Sequence, residues 1–368
     1  MSSPSGKNVL APYIKSLFLE PPNLTAGDLS TVLRCIFRGI PNEVEIASFL
    51  TALKLRGLDQ EPEFIAAAAN TVLEFSDSID PSVVDSAGYI DIVGTGGDGQ
   101  NTFNVSTSAA IVAAGMGLPV CKHGGKASTS TSGSGDLLKC LGVDLMNVNA
   151  MTTPEIVKTS NFCFLFAPAF HPAMGKVAKI RSELGIPTIF NILGPLINPI
   201  PLSARILGVN SEKLGEAYAK AASELAQQSK VHKRTMVVYG DVGLDEISPI
   251  GVTRYWMVEQ DGSITKGMMI PRDFDLPEHP LSAVRSGTPE QNAETLLHIL
   301  RQDTKEFQIK PENNHPIVDY ILLNSAALAV VAGIADSWVE GVKLAREAIQ
   351  SGSALQALEN FKISISQL

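Results

Sequence analysis

The chain predicts an α/β protein in which a large α/β domain with a central, mainly parallel sheet is joined to a small all-helical domain. Three observations carry that expectation. From Val9 to Phe75 the apolar residues recur at helical spacing. From Tyr89 onward short β-rich runs alternate with helical stretches, the pattern of βαβ units. And 368 residues, 45% apolar and 18% charged, exceed one compact core and can bury more than one.

Each element follows in order. Leu10, Tyr13, Ile14 and Leu17 begin the helical part, followed by Leu29, Val32, Leu33 and Ile36, then Val44, Ile46, Phe49, Leu50 and Leu53, and an alanine-rich run from Phe64 to Phe75. Pro21-Pro22, Gly39-Ile40-Pro41 and Gly57 punctuate them, as turns between helices require. Asp77 to Gly88 reads as a polar connector. The expected strands are YIDIV, LPVCKH, NFCFLFAP, ARILGV and TMVVYG, with helices at Ser106 to Gly115, around Leu137, and after ARILGV. Residues from His171 to Pro199 read as a helical interruption packed against the N-terminal unit. The division is residues 1–87, with that insertion near 171–199, for the helical domain, and 88–368 for the remainder.

Composition narrows the function. A net charge of −9 offers no basic footprint, so neither nucleic acid nor an anionic membrane surface is expected as a partner. Cys35, Cys121, Cys140 and Cys163 lack C-x-x-C spacing, which argues against a zinc site or disulfide frame and for reduced thiols, mostly in the core. No segment reaches about 18 uninterrupted apolar residues, and MSSPSGKNVLAPYIKSLF lacks targeting character, so the expected compartment is the cytoplasm.

The chemistry concentrates in the loops. DIVGTGGDGQNTFNVST carries Gly94, Gly96 and Gly99 in G-x-G-x-x-G spacing, which fits a phosphate-cradling turn or a plain tight turn. A dinucleotide site would need an acid closing the second strand, and that strand ends in Lys122-His123 instead. Asp98 beside a diphosphate would be repelled unless a cation intervenes or its side chain caps backbone amides. Asn104, Ser106 and Thr107 open the next helix, where hydroxyls and amides suit capping or phosphate oxygens equally. Lys122-His123-Gly124-Gly125-Lys126 emerges at a strand end. The run STSTSGSG, Ser128 to Gly135, fits an anion-binding loop before a helix. Asp245-Glu246 in GLDEIS are either solvated or ligands of a hard cation. Arg181 is either a solvated helix residue or a reader of a carboxylate.

Taken together, DIVGTGGDG, FNVST, KHG, FLFAPAFHPAM, TIFNILGPLINP, ARILGV and GLDEIS resemble, in order, anthranilate phosphoribosyltransferase of tryptophan biosynthesis. The resemblance runs from about Leu10 to LLNSAALAVVAG and AREAIQSGSAL. It implies a nucleoside phosphorylase/phosphoribosyltransferase-like fold, usually a homodimer through the helical domain, acting on phosphoribosyl pyrophosphate and anthranilate with Mg2+. By that resemblance Gly94, Thr95, Gly96 and Gly97 approach the pyrophosphate through backbone amides while Asp98 shapes the loop. Asn104, Ser106, Thr107, Lys122 and Ser134 complete the phosphate site; Asp245 and Glu246, with Ser106, serve the metal; Gly125 and Arg181 belong to the anthranilate end. No strong base is required, since the aromatic amine is neutral, and His123 is expected to be structural or to position substrate rather than to act as a base. Two positions depart from the usual pattern: K-H-G-N-R reads Lys122 to Lys126 with Gly125 and Lys126 replacing Asn and Arg, a form resembling fungal members, and the basic residue after H-P-A-M is Gly175. The alternatives are a pyrimidine nucleoside phosphorylase-like enzyme, which would use inorganic phosphate, and a non-catalytic phosphoribosyl-pyrophosphate-binding homologue.

Overall fold

The computed structural model describes residues 8–127, 130–310 and 314–368. Four helices come first: α1 (Ala11–Leu17), α2 (Ala26–Phe37), α3 (Glu43–Leu55) and α4 (Pro62–Glu74). Capping boxes set two of their starts. The Thr25 hydroxyl accepts from the Asp28 amide at 3.1 Å, and Asn42 accepts from the Glu45 amide at 3.0 Å, in each case with the acid returning to the cap.

The remainder alternates: β1 (Tyr89–Gly94), α5 (Val105–Gly115), β2 (Val120–Gly124), α6 (Ser134–Cys140), α7 (Thr153–Thr159), β3 (Phe162–Phe166), α8 (Ala167–Phe170), α9 (Gly175–Leu184), β4 (Leu202–Gly208), α10 (Glu212–Ala226) and β5 (Arg234–Gly240). Then come β6 (Thr253–Glu259), β7 (Ile264–Met269), α11 (Pro289–Arg301), α12 (Pro316–Ala332), α13 (Trp338–Gln350) and α14 (Ser353–Ser366). The seven strands form one sheet in the order β3-β2-β1-β4-β5-β6-β7. Pairing is parallel from β3 to β5 and antiparallel through β6 and β7. These two strands lie beyond the expected set; an Asp261-Gly262 turn closes their hairpin.

Successive strand residues face opposite sides of a sheet, and the core divides accordingly. Ile92, Ile206 and Met236 pack with α5 and α11–α14, while Val93, Leu207 and Val237 pack with Tyr218 of α10. The second cluster continues without interruption into Leu33, Phe49 and Phe64 of the N-terminal helices and into Val177 and Ile180 of α9. The helical part therefore shares its core with one face of the sheet. All four cysteines are free; Cys121 and Cys163 are buried register partners, but Cys35 is half-buried and Cys140 exposed, so only two are core thiols. Among the described residues no helix is long and apolar enough to cross a membrane.

Candidate active site

Strand order reverses between β1 and β4: from β1 the chain runs outward to β2 and β3 and then returns to β4 on its other side. Such a switch point opens a crevice at the strand carboxyl ends. A cavity of about 930 Å3 lies there, lined by Val93–Asp98 after β1, Lys122–Ala127 after β2, Ala167 and Pro168 after β3, Asn210 after β4, and Asp245 and Glu246 after β5. Lys54, Asp59 and Gln60 reach it from the helical side. A ligand cavity of this size suits a pair of small molecules.

Gly94 and Gly208 are register partners on β1 and β4. A Cβ on either would collide with Asp245, through its carboxylate or its backbone carbonyl, so glycine at both strand ends makes the notch that admits the Asp245-Glu246 loop. The Asp245 Oδ2 accepts from the Gly96 amide at 2.6 Å, and Gly96 has a positive φ of 73° that favours glycine. This alters one expectation. The Gly96 amide is held by a protein carboxylate, and the Thr95 amide donates to Gly208 O at 2.9 Å, so these two do not face a diphosphate.

Of the two roles open to Asp98, the structure shows the capping one. Its Oδ1 accepts from the Gln100 amide at 3.1 Å, capping the turn, while its charge acts on Asp245. Burial, then the Asp98 charge, pushes Asp245 up to about 7; burial, then Asp245, pushes Glu246 up to about 8. Glu246 Oε2 accepts from the Tyr320 hydroxyl and from Thr102 Oγ1. Hard oxygen donors with raised proton affinity fit a divalent cation. No cluster of three or more His, Cys, Asp or Glu that could hold a metal exists among the described residues, so such an ion would take further ligands from water or substrate.

The other expected phosphate ligands separate. Ser106 and Ser134 line the cavity. Asn104 lines it too, but its side chain is engaged in scaffolding: Nδ2 donates to Ser132 O at 2.8 Å, and Oδ1 accepts from Ser132 Oγ at 2.8 Å and Asn292 Nδ2 at 2.9 Å. Asn104 makes no side-chain cap on α5, which leaves early amides of that helix as anion donors. Thr107 lies outside the cavity lining, fully buried, its hydroxyl without a partner. Lys122 also lines the cavity but is 1% exposed and donates to Ile92 O, and of the charges acting on it that of Asp91 is the strongest. Of the STSTSGSG run, Ser128 and Thr129 lie outside the described residues; Ser132 and Ser134 line the cavity.

At the other end, Arg181 on α9 lies over Phe190, its Cζ 5.7 Å from the ring centroid. Its Nε is buried with no hydrogen-bond partner, and no ion pair engages it among the described residues. Burial lowers its proton affinity. Gly125 and Gly175 line the same cavity, and a Cβ on either would meet open space.

His123 stands between the two ends, and its neighbours decide its chemistry. Nδ1 lies 3.1 Å from Gly194 O, which only accepts, so Nδ1 carries the hydrogen. Nε2 then accepts from His171 Nε2 at 3.0 Å, and His171 Nδ1 lies 2.6 Å from Ser76 Oγ, whose hydroxyl is also directed at Val72 O at 2.7 Å. Both His123 nitrogens are thereby committed to protein, which leaves no lone pair for a substrate proton. Burial, then the neighbouring His171, holds His123 down to about 3, and burial holds His171 down to about 4. Depressed folded-state values mean that the unfolded chain binds more protons below about 6.5, so this contribution is present above that pH and is lost as pH falls. We expect His171→Asn to flatten the stability profile: between pH 7 and pH 5 the variant should lose about 2 kcal/mol less than the wild-type chain in urea titrations, the carboxylate contributions being common to both. Equal slopes would show that the pair is not held neutral.

Several of these residues escape a reading of the sequence. His171 and Ser76 are 95 positions apart, and Asn198 donates to buried Asp91 at 2.8 Å across 107 positions. Tyr320 and Asn324 have a local signal: polar residues one turn apart, beside Asp319 and Ser325, in a mainly apolar helix.

Comparison with known proteins agrees with this geometry. Residues 86–355 match the glycosyl transferase family a/b domain and residues 11–76 its helical bundle domain. The anthranilate phosphoribosyltransferase of Schizosaccharomyces pombe is 48% identical over 94% of this chain and 94% of its own, and that of Saccharomyces cerevisiae 45% identical over 98% and 99%. A solved structure of the Saccharomyces cerevisiae enzyme in complex with PRPP and Mg superposes with TM-score 0.90 at 44% identity, covering 99% of each chain. A second, in complex with 4-fluoroanthranilate, gives 0.88 at 43% identity over 98% of each. The chain belongs to the anthranilate phosphoribosyltransferase family.

Proposed function

We propose that the protein transfers the phosphoribosyl group of phosphoribosyl pyrophosphate to the amino group of anthranilate, giving N-(5'-phosphoribosyl)anthranilate and pyrophosphate, in tryptophan biosynthesis. The observation that carries this reading is one cavity with two unlike ends. Carboxylates and an uncapped helix N-terminus stand at the sheet, and an unpaired guanidinium over an aromatic ring stands on α9. The first set suits a metal-bound diphosphate and the second a small aromatic carboxylate. Relatives at 45–48% identity carry a single enzyme name, which favours neither a nucleoside phosphorylase nor a silent homologue.

Asp245 and Glu246 would hold magnesium, which, when bound, offsets the negative charge developing on the departing diphosphate. Ser106, Ser134, the Gly97 turn and the α5 amides orient the phosphate oxygens, and Asp98 keeps that turn in shape. Lys122 balances Asp91 and the metal pair from below. Arg181 receives the acceptor carboxylate, so that the neutral amine faces the anomeric carbon without a protein base. His123, both nitrogens occupied, fixes the Gly194 turn on the cavity wall.

The division into residues 1–87 and 88–368 is part of the same reading, as are a cytoplasmic location and a homodimer. The dimer reading is supported by apolar side chains left exposed around α1–α3: Phe18, Leu19, Ile40, Val44 and Leu55, the last 81% exposed. The test is the loss of anthranilate fluorescence on adding phosphoribosyl pyrophosphate and magnesium to purified protein. We expect loss that requires all three; phosphate-dependent cleavage of thymidine without magnesium would instead establish the phosphorylase alternative.

A further inference from the structure

Glu246 sits at the cavity edge, one residue from another buried carboxylate and near a third, Asp98. Like charges so placed repel one another, and a side chain with free torsions would swing away from its neighbours. What holds it comes from α12. The Tyr320 hydroxyl donates to Glu246 Oε2, joined by Thr102 Oγ1 at 3.4 Å. One turn further on, Asn324 grips the next residue of the loop through its backbone: its Oδ1 accepts from the Ile247 amide at 3.3 Å and its Nδ2 donates to Ile247 O at 3.2 Å. Asn324 Nδ2 also donates to Tyr320 O at 3.0 Å, tying the two grips together.

Neither residue lines the cavity; Tyr320 is fully buried and Asn324 is 1% exposed. Polar side chains buried in an apolar helix cost stability unless paired, and both pair with the same loop. Two hydroxyls on Oε2 occupy that oxygen, while no hydrogen bond from a described side chain engages Oε1. A carboxylate held in this way offers one oxygen outward, the arrangement that suits a cation whose remaining ligands are phosphate and water oxygens.

We infer that Tyr320, with Asn324 behind it, is a positioning residue that sets Glu246 for one-oxygen ligation of the divalent cation. The inference rests on the assignment of Asp245 and Glu246 to that cation. Partners that orient metal ligands characteristically contribute about 10–100-fold to metal affinity, and that is the effect expected here.

The experiment uses full-length protein and Mn2+ as the probe, with free ion followed by electron paramagnetic resonance in the presence of saturating phosphoribosyl pyrophosphate. Tyr320→Phe should weaken Mn2+ binding roughly tenfold or more and raise by a similar factor the Mg2+ needed for half-activation, with the anthranilate KM unmoved. A purely structural tyrosine would lower the melting temperature without shifting the metal titration. Glu246→Gln serves as the reference. If it loses Mn2+ while Tyr320→Phe binds as the wild type does, the inference falls and the cation assignment stands; if both bind normally, the assignment falls and takes the inference with it. Should Tyr320→Phe not fold, Thr102→Val, which removes the other hydroxyl from Oε2, decides: weaker Mn2+ binding supports the inference and unchanged binding overturns it.

Discussion

The double substitution Asp245→Asn with Glu246→Gln is expected to abolish turnover and leave the fold intact. Both changes keep shape and an accepting oxygen: the new carboxamide at position 245 could still take the Gly96 amide, and the one at position 246 the Tyr320 hydroxyl. What disappears is charge. In the free protein that charge is a burden, since burial, joined by the Asp98 charge at Asp245 and the Asp245 charge at Glu246, pushes the two groups up to about 7 and about 8, so removing it does not destabilise the fold. In the proposed reading it holds a cation against the leaving diphosphate, and loss of such transition-state stabilisation costs roughly a thousandfold or more in rate when two ligands go at once. Steady-state turnover over a magnesium titration, beside a thermal melt, checks both halves. Near-normal turnover at limiting magnesium would remove the pair from the site.

Arg181→Ala is expected to raise the anthranilate KM about tenfold or more and to leave phosphoribosyl pyrophosphate binding nearly unchanged. The guanidinium is largely buried, lies over Phe190, and has an Nε without a partner, a state that carries an energetic cost in the free protein. A charge-assisted pair with a carboxylate in that setting contributes about 1.5–3 kcal/mol. Titrating each substrate in turn separates this from a structural loss. A variant weakened equally for both, or one with wild-type anthranilate saturation, would show that Arg181 does not select the acceptor.

The helical start, the parallel strands and the loops that bear the chemistry are legible in the sequence, because period and turn residues are local signals. Gly94, Asp98 and Glu246 can be named from a few neighbours each. Pairing across distance is not legible in the same way. Nothing around Thr107 distinguishes it from Ser106, yet helix rotation buries one and leaves the other on the cavity. The same holds for Gly96, whose amide meets a carboxylate 149 positions away. The antiparallel strands β6 and β7 fall outside the expected set although Asp261-Gly262 marks their turn; the short run of β7 breaks alternation with Lys266 and Gly267.

The open space beside Gly125 and Gly175 has a consequence for evolvability. Neither glycine has the positive φ that would bar a larger residue, and no atom lies within 4 Å of where a side chain would begin. The donor end is different: at Gly94 and Gly208 even one added carbon would collide with Asp245. On the proposed assignment of the two ends, mutation can explore acceptor preference by adding side chains at one end of the cavity, while the end that handles the sugar phosphate stays closed to the same experiment. Ring-substituted aromatic acids are the chemical neighbourhood such drift can reach, and divergence in substrate range within this scaffold should be written at 125 and 175 before it is written in the sheet.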